Sequence, residues 1–489
     1  MREPRPVPVW ACALFALASA CAAVVVDLSA AHAEHHSDSL IPVLASLYHW
    51  EPYFWGSDRN GQLVSLLAVP WSDPFTSLLV QFGLSVFAGL IALGAFARLL
   101  SPRCCPAVAA GAWALLLLGC CDSVRFNLFH PGQPYAVSML CAGIGLWAVS
   151  GPALRPWRWA QAAALFVLAG WVNVGMGLTL GPWLLFGRLF AGRAGVGGCP
   201  PPYLRGLVLL AWGTVVGMGL QRLSPFPGAG YGLLPPAQWA PGALRVAHDL
   251  VHNCGFNLAL VAGLLALGLV WARVPATRAS AVRHLRGGCA ALAALALSFG
   301  LAGANAWVAK NGYAYRYLFS SLMLVNLAAA GAALGPPLEA LPAVRRQWVG
   351  GGVVALVPLL ALAVYGWPSV HKARAALDAL AVRHSDDVMA HRCTHVSGDY
   401  WDVWPAVFRA NLLLYERGEA RVVWGLAERG EAAWPKWRAV PTGEVRMGWL
   451  LPAGCSQPAP ENSGLWRGTF PELRAAERTP NLWLYRAPE

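Results

Sequence analysis

Charge is scarce in this chain. Only 12% of its 489 residues are Asp, Glu, Lys or Arg, about half the roughly 25% of an average soluble domain. That scarcity excludes an ordinary water-soluble globule. Acidic residues are the rarer kind, 24 against 36 basic, for a net charge of +12. The excess does not form a nucleic-acid footprint, because residues 371–489 hold 15 Lys/Arg and 14 Asp/Glu. The surplus lies in short loops between apolar segments, and no basic stripe suits a phosphate backbone. A nucleotide-cradling glycine loop is also missing. The Gly-rich pieces lie within or beside apolar segments, where Gly serves helix packing, so no nucleotide cofactor is expected. The 12 cysteines do not make a disulfide framework, since most sit in apolar segments as small hydrophobes. Cys393 and Cys455 stand alone in the polar C-terminal region, and would pair as a disulfide in an oxidising compartment. Internal repeats and low-complexity tracts are lacking too.

What is plentiful is apolar length. The chain is 57% hydrophobic, with a mean hydropathy of +0.48. Runs near the roughly 20 residues that span a bilayer recur. They predict about eleven membrane-spanning helices, at roughly 9–26, 76–98, 106–120, 134–150, 158–174, 177–190, 204–220, 254–272, 286–306, 317–334 and 348–366. The segments 158–174 and 177–190 are joined by the short Gly-rich "WVNVGMGLTLGP". They form either two crossings or a hairpin that does not cross, which is tolerated only where protein or water covers its backbone. With a cytoplasmic N-terminus, inner loops hold 15 basic residues and outer loops before residue 371 hold 6. That asymmetry sets the orientation. An odd number of spans puts the C-terminus outside. Residues 1–33 read either as an uncleaved first span or as a signal peptide ending at "AHA". Either way residue 34 onward lies outside. The expected division is a membrane domain over 1–370, with an outer loop over 27–74, and an extracytoplasmic domain over 371–489. The latter is rich in Trp and alternates apolar and polar residues, which predicts mixed helix and short strands. The fold class is therefore all-α polytopic with a small α/β C-terminal domain.

The membrane portion concentrates its acid on one side. Eight of its ten acidic residues fall outside: Asp27, Glu34, Asp38, Glu51, Asp58, Asp73, Asp122 and Asp249. The stretch "AHAEHHSDSLIPVLASLYHWEPYFWGSDRNG", residues 31–61, carries four of them. After Asp38, Leu40, Ile41, Leu44 and Leu47 recur at helical spacing, which predicts an amphipathic helix lying on the bilayer surface. Tyr48, Trp50, Tyr53, Phe54 and Trp55 are then expected at headgroup level. Asp38 falls at the helix start, where a carboxylate stays ionised and can accept a proton. The same position suits Asp38 or Ser37 to a plain helix cap.

Further polar groups mark the outer face. Arg316 lies in "KNGYAYRYLF" among Tyr313, Tyr315 and Tyr317, as an interfacial anchor or a ligand for a lipid phosphate. Arg125, in "DSVRFNLFHPGQP", belongs to a second polar loop. "HDLVHN" sets His248 and His252 at zinc-ligand spacing, but the intervening acid is Asp249 and no third ligand is evident. "HRCTH" holds His391, Cys393 and His395, a thin metal set. "GDYWDVWP", residues 398–405, joins Asp399 to Tyr400, Trp401 and Trp404, a combination suited either to a sugar ring or to an aromatic core.

The layout resembles the GT-C superfamily of integral membrane glycosyltransferases. Its members have a first span, a large outer loop with an essential acid, interfacial helices, several more spans and often an extracytoplasmic C-terminal domain. The residues that match are "HSDSL" (Asp38) and "WGSDRNG" (Asp58, Arg59). Many members carry a paired acidic motif in this loop. Here Asp38 stands alone, with Glu34 four residues before it, so a divalent metal is left open. The resemblance implies a polyprenyl-phosphate-linked sugar as donor. It also implies a saccharide, lipid or protein acceptor, and inversion driven by Asp38 as base. Arg59, Arg125, Lys310 and Arg316 are the implied cations for the leaving phosphate. Asp58, Tyr315, Asp399, Tyr400, Trp401 and Trp404 are the implied sugar or acceptor contacts. The implied place is the inner membrane, multi-pass. The competing readings are a non-catalytic transporter or envelope-assembly scaffold, and a zinc hydrolase resting on His248 and His252. A transporter calls for ionisable residues in mid-span, and the span interiors hold almost none.

Overall fold

The structure, a computed structural model, describes residues 9–150, 155–190, 203–226, 232–451 and 469–488. All eleven apolar segments are helical: Val9–Asp27, Pro74–Leu100, Cys105–Gly119, Tyr135–Ala148, Pro156–Val172, Gly177–Phe190, Tyr203–Gln221, Trp239–Trp271, Arg278–Gly303, Phe319–Ala340 and Ala343–Tyr365. This is a multi-pass membrane protein. The expected count of crossings is not what the helix lengths give. Among the described residues seven helices are long and apolar enough to cross, or up to eight if one bent pair counts as a single span. Cys105–Gly119 and Tyr135–Ala148 have 15 and 14 residues. At 1.5 Å per residue they fall short of a hydrocarbon core about 30 Å thick. The bent pair is Pro156–Val172 with its successor, turned by 108°. The break falls at Asn173, whose backbone is extended (φ −153°, ψ 94°), followed by the one-turn 3₁₀ segment Val174–Met176.

Contacts divide the chain into two compact units: Met1–Val26 with Ser85–Trp367, and Asp27–Leu84 with Pro368–Glu489. In the first unit, polar side chains are used sparingly between helices. Asn257 and Asn326, both 0% exposed, exchange amide hydrogen bonds of 2.9 and 3.0 Å. Asn257 Nδ2 also donates to the Leu115 carbonyl at 2.9 Å, and Asn326 Nδ2 to the Leu322 carbonyl at 2.9 Å. The pair thus ties three helices, Cys105–Gly119, Trp239–Trp271 and Phe319–Ala340. Elsewhere glycine does the same work by absence: a Cβ at Gly170 would lie 2.1 Å from the Gly213 carbonyl oxygen. Replacing Asn257 alone by Leu is expected to cost about 1–3 kcal/mol, because Asn326 then keeps a buried amide without its partner. The double Asn257→Leu, Asn326→Leu chain should lose less than the sum of the single losses. Thermal unfolding in detergent of the two single variants and the double variant measures this coupling.

The second unit packs residues 27–84 with residues 368–489. Its sheet has the order β2-β1-β3-β5-β4, with β1 His395–Ser397, β2 Trp424–Leu426, β3 Arg446–Leu450, β4 Arg474–Arg478 and β5 Leu482–Arg486. β1 runs parallel to both β2 and β3, while β5 is antiparallel to β3 and β4. The helix Tyr400–Glu416 is the crossover between β1 and β2. Asp399 starts it, its carboxylate accepting from the Trp401 backbone N–H at 2.9 Å, an ordinary N-cap. Asn411, 2% exposed, then binds the strand connection through the Val423 N–H and C=O, at 2.9 and 2.8 Å.

The helix predicted after Asp38 is present as Ser37–Tyr48. Its setting differs from the expectation of a helix lying on lipid. Leu40, Ile41 and Leu44 are 0–1% exposed, covered by protein. Its polar side is also covered: Ser46 Oγ, Ser77 Oγ and the Gln81 amide form a buried cluster at 3.0–3.3 Å. Tyr53, Phe54 and Trp55, expected at headgroup level, are buried as well, at 5%, 1% and 2% exposure. Trp55 meets Trp404 edge to face at 6.0 Å, and Tyr48 meets Trp424 at 5.7 Å. An apolar stripe read from sequence does not distinguish lipid from a protein core, and here the core wins.

Candidate active site

The two N-terminal ends of the helices Ser37–Tyr48 and Tyr400–Glu416 meet within the second unit. The first begins after His36, whose extended backbone marks the N-cap position. Ser39 closes the turn: its hydroxyl accepts from the His36 N–H at 3.0 Å, and its own N–H donates to the His36 carbonyl at 2.9 Å. His36 therefore occupies the cap position, not Ser37 or Asp38. Ser37 instead donates its hydroxyl to the Tyr400 carbonyl at 2.7 Å. That contact puts the Tyr400 ring beside the next residue of the first helix, Asp38.

Asp38 is consequently held from one side. The Tyr400 hydroxyl donates to Asp38 Oδ1, and Arg429 Nη1 lies 3.5 Å from the same oxygen. Among the described residues no partner engages Oδ2. The Asp38 and Arg429 side chains are 15% and 20% exposed, so the pair is largely withdrawn from water yet reachable. Burial, reinforced by the Asp38 charge, pushes the Tyr400 phenol far above its ordinary range, so Tyr400 stays a donor at any working pH. The Arg429 guanidinium lies over two rings, 4.7 Å from the Phe54 centroid and 5.4 Å from Tyr400, in the arrangement that favours cations on aromatic faces.

Arg429 is the residue that sequence reading missed. It sits in "AERGEA" without any flanking motif, 391 positions from Asp38. Its backbone is left-handed, with φ +76°, which side-chain-bearing residues adopt rarely and at a cost. Gly56, itself at φ +64°, lies flush against it: a Cβ there would come 2.6 Å from the Arg429 Cα. Glycine at 56 is what lets the two loops touch.

The other expected residues divide by surroundings. Trp401 is 53% exposed and stands next to this cluster, its ring 4.9 Å from Tyr400 and 5.6 Å from His36. Trp404 is 1% exposed and fills the core against Gly425, where a Cβ would lie 2.5 Å from its ring, so it offers no face to a ligand. Asp399 is occupied as the cap described above. Asp58 is 7% exposed, and Arg59 belongs to the turn in which its N–H donates to Ser57 Oγ at 3.2 Å.

Arg125, Lys310, Tyr315 and Arg316 belong to the first unit and are engaged there. Arg125 pairs with Asp122, donates to the Leu117 carbonyl at 2.7 Å and lies 5.7 Å from the Tyr365 ring. Arg316 donates to Asn311 Oδ1 at 3.3 Å and lies 5.5 Å from the Tyr317 ring. Lys310 lies over Trp307 at 5.6 Å. The Tyr315 N–H donates to Asp249 Oδ2 at 2.7 Å, and its ring meets Phe319. His248 and His252 are exposed, with stacked rings 6.4 Å apart. Among the described residues no three His, Cys, Asp or Glu side chains form a metal-holding group. His391 lies 3.9 Å from Glu477. Of the expected disulfide, Cys393 is buried, and Cys455 lies outside the described residues.

No protein-family model matches the chain, and no curated protein matches it. Among solved structures, the crystal structure of ArnT from Cupriavidus metallidurans bound to undecaprenyl phosphate is similar at 14% identity and a TM-score of 0.49, over 98% of this chain and 99% of that one.

Proposed function

We propose that this protein is a membrane glycosyltransferase of the GT-C type. It moves a sugar from a polyprenyl-phosphate donor to an acceptor on the outer face of the inner membrane. The second unit, with Asp38, lies on that extracytoplasmic side, and the N-terminus is cytoplasmic. The observation that carries the reading is the Asp38 carboxylate: Oδ1 is fixed by Tyr400 and faced by Arg429, while Oδ2 has no partner among the described residues. A general base needs such a geometry, one oxygen oriented and the other presented.

In the reaction, Asp38 Oδ2 takes the proton of an acceptor hydroxyl. The freed oxygen attacks the anomeric carbon, and the bond to phosphate breaks on the opposite face, so configuration inverts. Trp401, exposed beside the carboxylate, offers a ring face on which a sugar packs. The reading is tested by incubating the purified protein with a panel of undecaprenyl-phosphate-linked sugars and an envelope extract as acceptor. The expected result is release of undecaprenyl phosphate from one donor and a glycosidic product of inverted configuration. Failure of every donor to turn over, with well-folded protein, removes the proposal.

A further inference from the structure

We infer that Arg429 binds the substrate phosphate, and that it becomes fully available for it when Asp38 takes up a proton. The inference rests on the transferase reading given above.

Two observations on Arg429 carry it. First, its guanidinium is held in place by ring faces and by a left-handed backbone locked against Gly56. Second, its N–H donors are uncommitted. The approach to Asp38 at 3.5 Å exceeds the 2.7–2.9 Å of a charge-assisted hydrogen bond, and among the described residues no hydrogen bond reaches the fork. A planar, partly buried fork that faces one carboxylate at 3.5 Å and makes no hydrogen bond among the described residues is matched to a tetrahedral oxyanion.

The charge balance explains why the carboxylate stands beside it. Before transfer, Asp38 is an anion and the donor phosphodiester carries one negative charge. During transfer the acceptor O–H bond breaks and its proton goes to Asp38 Oδ2. The acceptor oxygen bonds to the anomeric carbon, and the C–O bond to phosphate breaks with its electron pair left on phosphate. Asp38 thereby loses one negative charge as the phosphate gains one. Arg429, faced by a carboxylate at the start, faces a neutral acid and a doubly charged phosphate at the end. Its stabilisation grows along the reaction coordinate, which is the kind that accelerates a reaction.

Binding alone tests this, apart from turnover. The probe is undecaprenyl phosphate added to the full chain in nanodiscs, with undecaprenol as the control that has the tail but no phosphate. Asp38→Asn, which mimics the neutral acid, should bind undecaprenyl phosphate two- to fivefold more tightly than the native chain. Arg429→Met should bind it roughly tenfold more weakly, and the Asp38→Asn gain should vanish when both changes are combined. Arg429→Lys should fall between native and Met, since the charge remains but the fork does not. Undecaprenol should bind all variants alike. Native-like affinity in Arg429→Met overturns the inference, and so does an Asp38→Asn gain that persists without Arg429. If inorganic phosphate shows the same Arg429 dependence while undecaprenyl phosphate does not, the lipid-linked donor fails but the phosphate contact stands.

Discussion

Asp38→Asn should abolish sugar transfer, lowering turnover about 10²–10⁴-fold, with little change in thermal stability. Asparagine fills the same volume, and its Oδ1 still accepts from the Tyr400 hydroxyl, so the contact that joins the two helix starts survives. What is lost is the ability to take a proton at the second position. The neighbouring Arg429 loses its counter-charge, which at 15–20% side-chain exposure is worth on the order of 1 kcal/mol or less. Tyr400→Phe is the informative companion. It keeps Asp38 and its charge but frees Oδ1, so the carboxylate is no longer oriented. A loss of roughly tenfold in turnover with unchanged donor binding is expected, in line with one hydrogen bond. The measurement is initial rate with the accepted donor, alongside thermal midpoints. If Asp38→Asn retains more than a tenth of native turnover, Asp38 is not the base.

The elements of this fold were readable because bilayer spans are written in composition. Each of the eleven apolar runs became a helix, within a few residues for most and considerably longer for the helix Trp239–Trp271. Their crossings were less readable, because a run of 14 or 15 apolar residues and a run broken at Asn173 look much like spans on hydropathy alone. The candidate site was half legible. Asp38, Tyr400 and Trp401 announced themselves as polar or aromatic groups in otherwise greasy or core-like surroundings. Their meeting did not, since it depends on Ser37 reaching a carbonyl 363 residues away. Arg429 carried no local signal at all. Its significance lies in a backbone conformation and a neighbouring glycine, and both are properties of the folded chain. Tyr53, Phe54 and Trp55 were misread for a related reason. Aromatic residues after an apolar stripe suit a headgroup belt as well as they suit a core, and only packing decides.

Two buried histidines of the second unit should each weaken it on acidification between about pH 6.5 and pH 4. Both are buried as neutral rings. His395, 0% exposed, is packed among Trp437 and Phe470, with its ring nitrogens at 2.9 Å from the Thr394 hydroxyl and 3.2 Å from the Trp437 carbonyl. His32, also 0% exposed, lies 2.7 Å from the Asp27 carbonyl and is stacked on His35. Burial lowers both rings to about 4, against about 6.5 in an unfolded chain. Between those values each of these rings binds more protons in the unfolded chain than in the folded one, so each makes stability rise with pH; Glu51, lifted by burial to about 7, and Glu431, raised by burial, act in the opposite sense. The histidine contribution is fully present above about pH 6.5 and falls on acidification towards pH 4, by up to about 1.4 kcal/mol per pH unit for each ring. His395→Gln removes one of the two titrations while leaving an amide that can serve both neighbours. Its thermal midpoint at neutral pH should drop modestly, and between pH 6.5 and 4.5 it should lose less stability than the native chain does, the gap between the two narrowing as pH falls. Tryptophan emission is the natural monitor, because Trp437 lies against His395 and Trp404 and Trp424 share the same unit. An unchanged slope in His395→Gln would assign the acid sensitivity elsewhere, with His32 the next position to replace.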